Sequence, residues 1–233
     1  MLTSPQSDLW DAYVSAENRW LRHESSVALN RFLDAFSTLP AESQREWAFE
    51  LAAKIVENGE SIRVRMPLFQ RVLLPSLRFG IAVRRLGAAR YLAHFAPFIL
   101  GCPDLRDKVA DGSLTERGLL LTALDHDPAD DAARSKLVDL IASQLKYSIH
   151  ELPSGVLFGS DGATISQCQE LLADLDNFCV HTEHLGIAGE FDDLISKCRY
   201  HFSMYASYLA DRQGASCYAE YFKNHEDSSD SEH

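Results

Sequence analysis

Apolar side chains recur every three or four residues along most of the chain, and this spacing restricts its fold more than any other feature. In the clearest example, from Ala133 to Ile149, the apolar positions would form one stripe along a helix. No segment combines apolar alternation with β-branched residues and hairpin turns, the pattern typical of strands. The sequence therefore predicts an all-α fold of antiparallel helical hairpins, either a repeat-like α-solenoid or an irregular helical bundle.

The N-terminal part predicts a helical hairpin. A first apolar stripe runs from Trp10 through Trp20 to Leu21 and indicates a helix packed against a neighbour. A second stripe ends before Pro40, because proline disfavours helical geometry in the residue before it. Pro40 itself suits the first turn of the next helix, which we expect to end at Asn58-Gly59.

The segment from Pro67 to Leu86 has a helical pattern that is interrupted by Pro75 and Gly80. Proline removes a hydrogen bond from a helix and its ring clashes with the preceding turn. We therefore expect a kink in this segment, or a break into two short helices.

Two later helices carry capping-box patterns at their starts. Ser113 stands three residues before Glu116, and Thr164 stands three residues before Gln167. In such a box, each side chain accepts a hydrogen bond from a free backbone amide of the first turn. The patterns predict caps for a helix from Glu116 to His126 and for a helix that follows Thr164 and ends at Leu185-Gly186.

The junction ALDHDPADDAARSKL, from Ala123 to Leu137, resembles the boundary between two units of a tetratricopeptide-type helical repeat. Asp127 would cap the second helix, Pro128 would set its first turn, and Ala133 would let helices approach closely. The resemblance covers one repeat boundary, and no second copy occurs at a spacing of about 34 residues. It implies a stacked helical fold that binds peptides or proteins along a concave face.

The composition suits one helical domain over residues 1–224, with possible sub-halves 1–110 and 111–224. Residues 225–233 are acidic and rich in serine, which predicts a disordered tail. The N-terminus has neither the basic start nor the apolar run of a signal peptide, and the five cysteines have no paired short spacing. We expect a cytoplasmic protein that does not act at a membrane.

Charge is distributed unevenly along the chain. The formal net charge is −12, but residues 1–110 carry +2 and residues 111–233 carry −14. An acidic chain lacks the basic face that a general nucleic-acid binder needs, so nucleic acid is a disfavoured partner. A protein or peptide partner is favoured instead.

An arginine-rich span between Glu60 and Asp104 contains no acidic residue. In one interpretation its arginines pair inside the fold with the acidic second half of the chain. In the other they line a groove for an acidic peptide, a phosphate or a nucleic acid. We take them as a candidate interaction surface: Arg63, Arg65, Arg71, Arg78, Arg84, Arg85 and Arg90.

The sequence contains no catalytic, cofactor-binding or metal-binding motif to which residues can be assigned. His181 and His184, near Cys179, lack the four-residue histidine spacing of zinc proteases. His126 and His150 each adjoin an acidic residue, and such pairs at helix ends also serve as caps or dipole partners. The loop 153–163 contains the glycine-rich run 159–162 but no phosphate-binding lysine.

The sequence therefore favours a helical protein-interaction protein of the adaptor or immunity type, without a cofactor. One alternative is an enzyme with a histidine and acid site between helices, in one version dependent on a metal ion. The other is a phosphate or nucleic-acid binder that acts through the arginine-rich span, residues 63–90.

Overall fold

The computed structural model describes residues 4–152 and 164–229, and these residues form helices and no strand. The predicted all-α fold is confirmed. The predicted loop 153–163 lies outside the described residues. Up to residue 133 the helices are α1 Ser4–Asn18, α2 Arg22–Phe36, α3 Ala41–Val56, α4 Met66–Leu68, α5 Leu74–Ala82, α6 Ala88–His94, α7 Ala96–Leu100, α8 Arg106–Ala110 and α9 Glu116–His126. They are followed by α10 Asp131–Glu151, α11 Ile165–His184, α12 Asp192–Ala210 and α13 Tyr218–Ser229.

The chain divides into two compact units, a first unit of residues 1–133 and a second unit of residues 134–233. The boundary therefore falls inside α10 and not at 110/111, where the sequence suggests sub-halves. Helix α9 belongs to the first unit because it packs against α6. In the second unit α11 packs against α12, and α12 packs against α13.

The turn between α1 and α2 corrects the prediction of a first stripe that extends through Trp20. Helix α1 ends at Asn18, and Trp20 has a left-handed backbone with φ of 59°. The amide of Leu21 donates to the carbonyl of Ala16, and that of Trp20 donates to Glu17, the Schellman pattern of a helix end. This turn leaves the Trp20 side chain 75% exposed.

A cluster of aromatic rings joins the first three helices. Trp10 of α1 contacts Phe32 of α2 and Trp47 of α3, with ring centroids 5.1 and 5.0 Å apart. Phe36 packs on Trp47 as Phe32 does, at 4.9 Å between centroids. Edge and tilted ring contacts at these distances stabilise a core beyond the apolar area that they bury. The cluster therefore holds α3 in a fixed position against α1 and α2.

The irregularity predicted at Pro75 takes the form of a π-helical turn. Residues Phe69–Leu73 form this turn between α4 and α5, and the amide of Leu74 donates to the carbonyl of Phe69, five residues back. A wider turn immediately before a proline relieves the clash between its ring and the preceding carbonyls. The helical path therefore continues through Pro75 without ending there.

Two helices are capped by residues other than the ones that the sequence predicts. Helix α9 is capped by the Thr115 hydroxyl, which accepts from the Gly118 amide, and not by Ser113. Helix α10 is capped by Asp130, whose carboxylate accepts from the Ala133 amide at 2.9 Å. Asp127 instead accepts from the Ala129 amide within the preceding turn, so the predicted cap at Asp127 is wrong. Both errors arise because several adjacent polar residues can cap the same helix, and the turn geometry selects one.

Helix α11 begins with the capping box that the sequence predicts at Thr164. Thr164 accepts from the Gln167 amide while the Gln167 side chain accepts from the Thr164 amide, so this predicted box is confirmed.

The predicted tail begins inside α13, which continues to Ser229. The His225 ring lies 4.2 Å from the Tyr221 ring, and this contact favours continuation of the helix. Residues 230–233 lie outside the described residues.

Gly80 allows α5 and α6 to approach closely. A Cβ atom added at Gly80 would lie 2.9 Å from the Cβ of Ala88, closer than two carbon atoms can pack. Both residues are buried. The positions of α5 and α6 therefore depend on the absence of a side chain at Gly80.

We expect Gly80→Ala to destabilise the protein although alanine is the better helix former. Overpacking costs about 1–3 kcal/mol, whereas the propensity gain is about 1 kcal/mol. Ala88→Gly removes the opposing methyl group, so the double variant should recover part of the loss, with a coupling free energy of about 1 kcal/mol. Urea unfolding of the four proteins measures this coupling. Strictly additive losses would contradict the close approach.

Candidate interaction surfaces

Arg90 is the most enclosed member of the arginine-rich span. Its guanidinium donates to Asp130 at 2.9 Å and to Glu57 at 3.0 Å, and the side chains of Arg90 and Asp130 are only 12% and 10% exposed. The Tyr91 hydroxyl donates to the same Glu57 carboxylate. Glu57 lies at the end of α3, and Asp130 caps the start of α10. Arg90 therefore connects α6 to the ends of two other helices.

The charge states of this group follow from its hydrogen bonds. The bond from Tyr91, and then those from Arg90, lower the pKa of Glu57. Burial and the bond to Glu57 raise the pKa of Tyr91. Burial acts to lower the pKa of Arg90, but the bonds to Asp130 and Glu57 outweigh it and raise that pKa. At neutral pH Arg90 and Glu57 are thus ionised and the tyrosine is neutral.

The N-terminal arginines of the span pair with helices α1 and α2. Arg63 and Arg65 both form ion pairs with Glu17, a residue of α1 that is only 7% exposed. Arg65 also donates to the Ser25 hydroxyl at 2.7 Å. Arg71 pairs with Asp34 at 3.0 Å, and both side chains are exposed to solvent.

Arg84 and Arg85 follow the end of α5 and bind different helices. Arg84, with a left-handed φ of 53°, lies 3.1 Å from the Asp125 carboxylate and donates to the Asp125 carbonyl at 2.9 Å. This cation complements the negative end of α9. Arg85 binds Glu46 through two hydrogen bonds of 2.8 and 2.9 Å, which lower the pKa of Glu46.

Six of the seven candidate arginines therefore form ion pairs among the described residues of the first unit. Most of their partners precede the span in sequence, and only Asp125 and Asp130 belong to residues 111–233. The interpretation that the span pairs with the acidic second half thus describes only Arg84 and Arg90. Arg78 is exposed on α5 and has no carboxylate partner among the described residues.

A cleft of about 320 Å³ lies between α3 and α5, and we call it the α3–α5 cleft. Phe79 and Val83 line it and are 44% and 56% exposed. The Arg45 guanidinium lies 3.8 Å from the centre of the Phe79 ring. The Arg85 guanidinium lies 3.5 Å from the centre of the Phe49 ring. The cleft thus combines accessible apolar surface with two cations.

A second cleft of about 210 Å³ is lined by residues of α1, α3 and the segment after α3, and we call it the α1–α3 cleft. Trp10 and Trp47 form part of its wall, with their rings at 85° to each other. Carboxylates and one lysine complete its rim: Asp11, Glu50, Lys54 and Glu60.

The candidate histidines lie in separate environments. His181 Nδ1 is 3.0 Å from a guanidinium nitrogen of the buried Arg134, which requires that ring nitrogen to accept. His126 has a buried Nδ1 with no hydrogen-bond partner among the described residues, and His150 lies beside Glu151 at 3.0 Å. Within residues 4–152 and 164–229, no three histidine, cysteine, aspartate or glutamate side chains are grouped to hold a metal ion.

The cysteines are free thiols, and burial raises the pKa of Cys168 to about 11 and that of Cys198 to about 12. These two thiols therefore stay protonated and unreactive at neutral pH. In the part of the chain that the structure describes, no helix is both long and apolar enough to cross a membrane. The glycine-rich run 159–162 lies outside that part.

No family model, curated protein or solved structure matches this chain. The resemblance of residues 123–137 to a tetratricopeptide repeat boundary stays a prediction. The choice among the candidate surfaces therefore depends on their geometry.

The arginine pairs should differ in energy according to burial. Arg90→Met leaves the nearly buried Asp130 carboxylate without its cation, and loss of one partner of such a pair costs about 3 kcal/mol of unfolding free energy. Arg71→Met removes an exposed pair and should cost less than about 1 kcal/mol. Chemical denaturation of both variants tests this difference. Equal losses would show that burial does not separate the two pairs.

Proposed function

We propose that this chain is a helical protein-interaction protein that binds a partner's peptide segment in the α3–α5 cleft. The observation that carries the proposal is the exposed Phe79 beside Arg45, whose guanidinium stacks on the ring and forms no ion pair among the described residues. A fitting segment has an apolar anchor residue and a neighbouring carboxylate.

The apolar part of the site follows the spacing of α5. Phe79 and Val83 lie four residues apart, so they share one face at the end of the helix, and both line the cleft. Burial of such side chains contributes about 25 cal/mol per Å² of apolar surface. An anchor side chain of the partner would supply the matching surface.

The polar part of the site depends on Arg45, which lines the cleft and has no carboxylate partner in the described residues. A guanidinium that stacks on an aromatic ring keeps its in-plane N–H groups for a carboxylate. Glu42 and Glu46 also line the cleft and balance the charges of Arg45 and Arg85, so the cleft lacks the excess positive charge that a phosphate backbone requires. This mixture favours a peptide with one or two carboxylates over a nucleic acid or polyphosphate.

Features of the whole chain support the same class of function. Residues 134–233 hold 16 acidic and 7 basic residues, an excess that would speed association with a partner that is basic outside the acidic segment bound in the cleft, as in an immunity protein. The resemblance to a tetratricopeptide repeat boundary also implies peptide or protein binding. The free thiols are consistent with a cytoplasmic location. His181 Nδ1 accepts a hydrogen bond from Arg134 and is therefore engaged within the fold, which gives the enzyme alternative less support.

Peptide binding tests the proposal directly. We expect 12-residue fluorescent peptides with a Leu or Phe anchor and two acidic residues to bind with a dissociation constant of roughly 1–100 µM, since the contact area is small. Val83→Asp and Arg45→Gln should each weaken binding about tenfold, a loss of about 1.4 kcal/mol. Fluorescence anisotropy at two salt concentrations measures both effects.

The matched control is Leu100→Asp, because Leu100 is 73% exposed on α7 and lies outside the cleft. It should leave the affinity unchanged. Equal affinity for acidic and basic versions of the peptide would sink the proposal, as would a Val83→Asp variant that binds like the wild type. Tight binding of a single-stranded oligonucleotide, lost in Arg45→Gln, would favour the nucleic-acid alternative.

A further inference from the structure

The two flanks of α3 differ in charge, because acidic residues outnumber basic ones only in the lining of the α1–α3 cleft. An α-helix turns about 100° per residue, so Trp47, Leu51 and Lys54 share one face while Arg45 and Phe49 lie on the other. The first face lines the α1–α3 cleft and the second lines the α3–α5 cleft. The α1–α3 cleft is thus a separate site, and a ligand can bind there whether or not a peptide binds in the α3–α5 cleft.

Aromatic rings form a corner in the wall of the α1–α3 cleft. Trp10 and Trp47 are half-buried, with ring centroids 5.0 Å apart and planes at 85°. Both rings line the cleft while their other contacts are with the aromatic core of α1 and α2. The face of an indole ring attracts cations more strongly than that of any other side chain. Two indoles at a right angle can contact a cation from two sides.

The rim adds an excess of negative charge. Asp11, Glu50 and Glu60 line the cleft and form no ion pair within 4 Å among the described residues, although Glu50 interacts with Arg85 at longer range. Lys54 is the one basic residue that lines the cleft there, and it is not paired with any of them. Three carboxylates and one ammonium leave the rim at −2, which favours a cationic ligand.

We propose that the α1–α3 cleft binds an organic cation, namely an ammonium group that carries methyl or methylene substituents. Trp10 and Trp47 contact the substituents, and the rim carboxylates balance the charge. The cleft volume of about 210 Å³ equals that of roughly seven liquid water molecules, which accommodates such a group. A hydrated inorganic cation gains less binding free energy, because it keeps its water shell and does not contact the indole face directly.

Lys54 provides a sharp test because its ammonium also lines the cleft and repels an added cation. Its removal should strengthen binding of an added cation, whereas removal of a rim carboxylate should weaken it. A change that acts only through stability would move both variants in the same direction. Opposite responses are therefore specific to a cation site.

Tryptophan fluorescence reports on the site. The chain has three tryptophans, and Trp20→Phe leaves only the two that line the cleft. In this background, tetramethylammonium chloride should produce a saturable change in emission that potassium chloride at the same ionic strength does not. We expect Glu50→Gln to raise the dissociation constant at least about fivefold and Lys54→Gln to lower it about threefold.

Glu24→Gln is the matched control, since Glu24 is an exposed glutamate on α2 outside the cleft, and its dissociation constant should equal that of the background protein. A trimethyllysine peptide and free trimethyllysine distinguish the two sources of the cation. Tighter binding of the peptide identifies a modified protein segment, and equal binding identifies a small molecule. Identical responses to tetramethylammonium and potassium would overturn the proposal, as would equal shifts in the glutamate and lysine variants.

Discussion

The first unit depends on a nearly buried ion pair between Arg90 and Asp130. Removal of two charges from water is unfavourable unless hydrogen bonds satisfy both groups. Here Arg90 also binds Glu57, and Tyr91 donates a further hydrogen bond to the same carboxylate. Gly87 is part of this arrangement, because any Cβ at that position would lie 2.9 Å from the Tyr91 ring. The end of α3, the start of α10 and helix α6 are thereby connected at one point.

Ion pairs within the fold also determine which arginines can bind a ligand. An arginine whose N–H groups already bind two carboxylates has little capacity left for a ligand, and this describes Arg90. Arg45 and Arg78 have no carboxylate partner in the described residues, and Arg45 lies over the exposed Phe79 ring. The sequence indicates the whole arginine-rich span as a candidate ligand surface, whereas the structure supports a smaller surface on one side of α3. The opposite side of α3, with its indoles and carboxylates, carries the proposed cation site.

Local patterns predicted the helical class, the irregularity near Pro75 and the Thr164–Gln167 capping box, because each depends on residues that are close in sequence. Trp20 was misplaced because its apolar character fits a stripe, whereas the Schellman turn exposes it. The cap of α10 was misplaced for a similar reason, since Asp127 and Asp130 are equivalent by composition. The two clefts could not be predicted, because the stacking of Arg45 on Phe79 joins residues 34 positions apart.

Hydrogen exchange at the arginine side chains tests most directly whether pairing divides these residues into two groups. Nitrogen-15 NMR can follow the Nε–H group of each arginine after assignment by substitution. The Nε–H of Arg90, which donates to Asp130 at 2.9 Å, should exchange at least about tenfold more slowly than that of exposed Arg78. Exchange of Arg90 as fast as that of Arg78 would contradict this division.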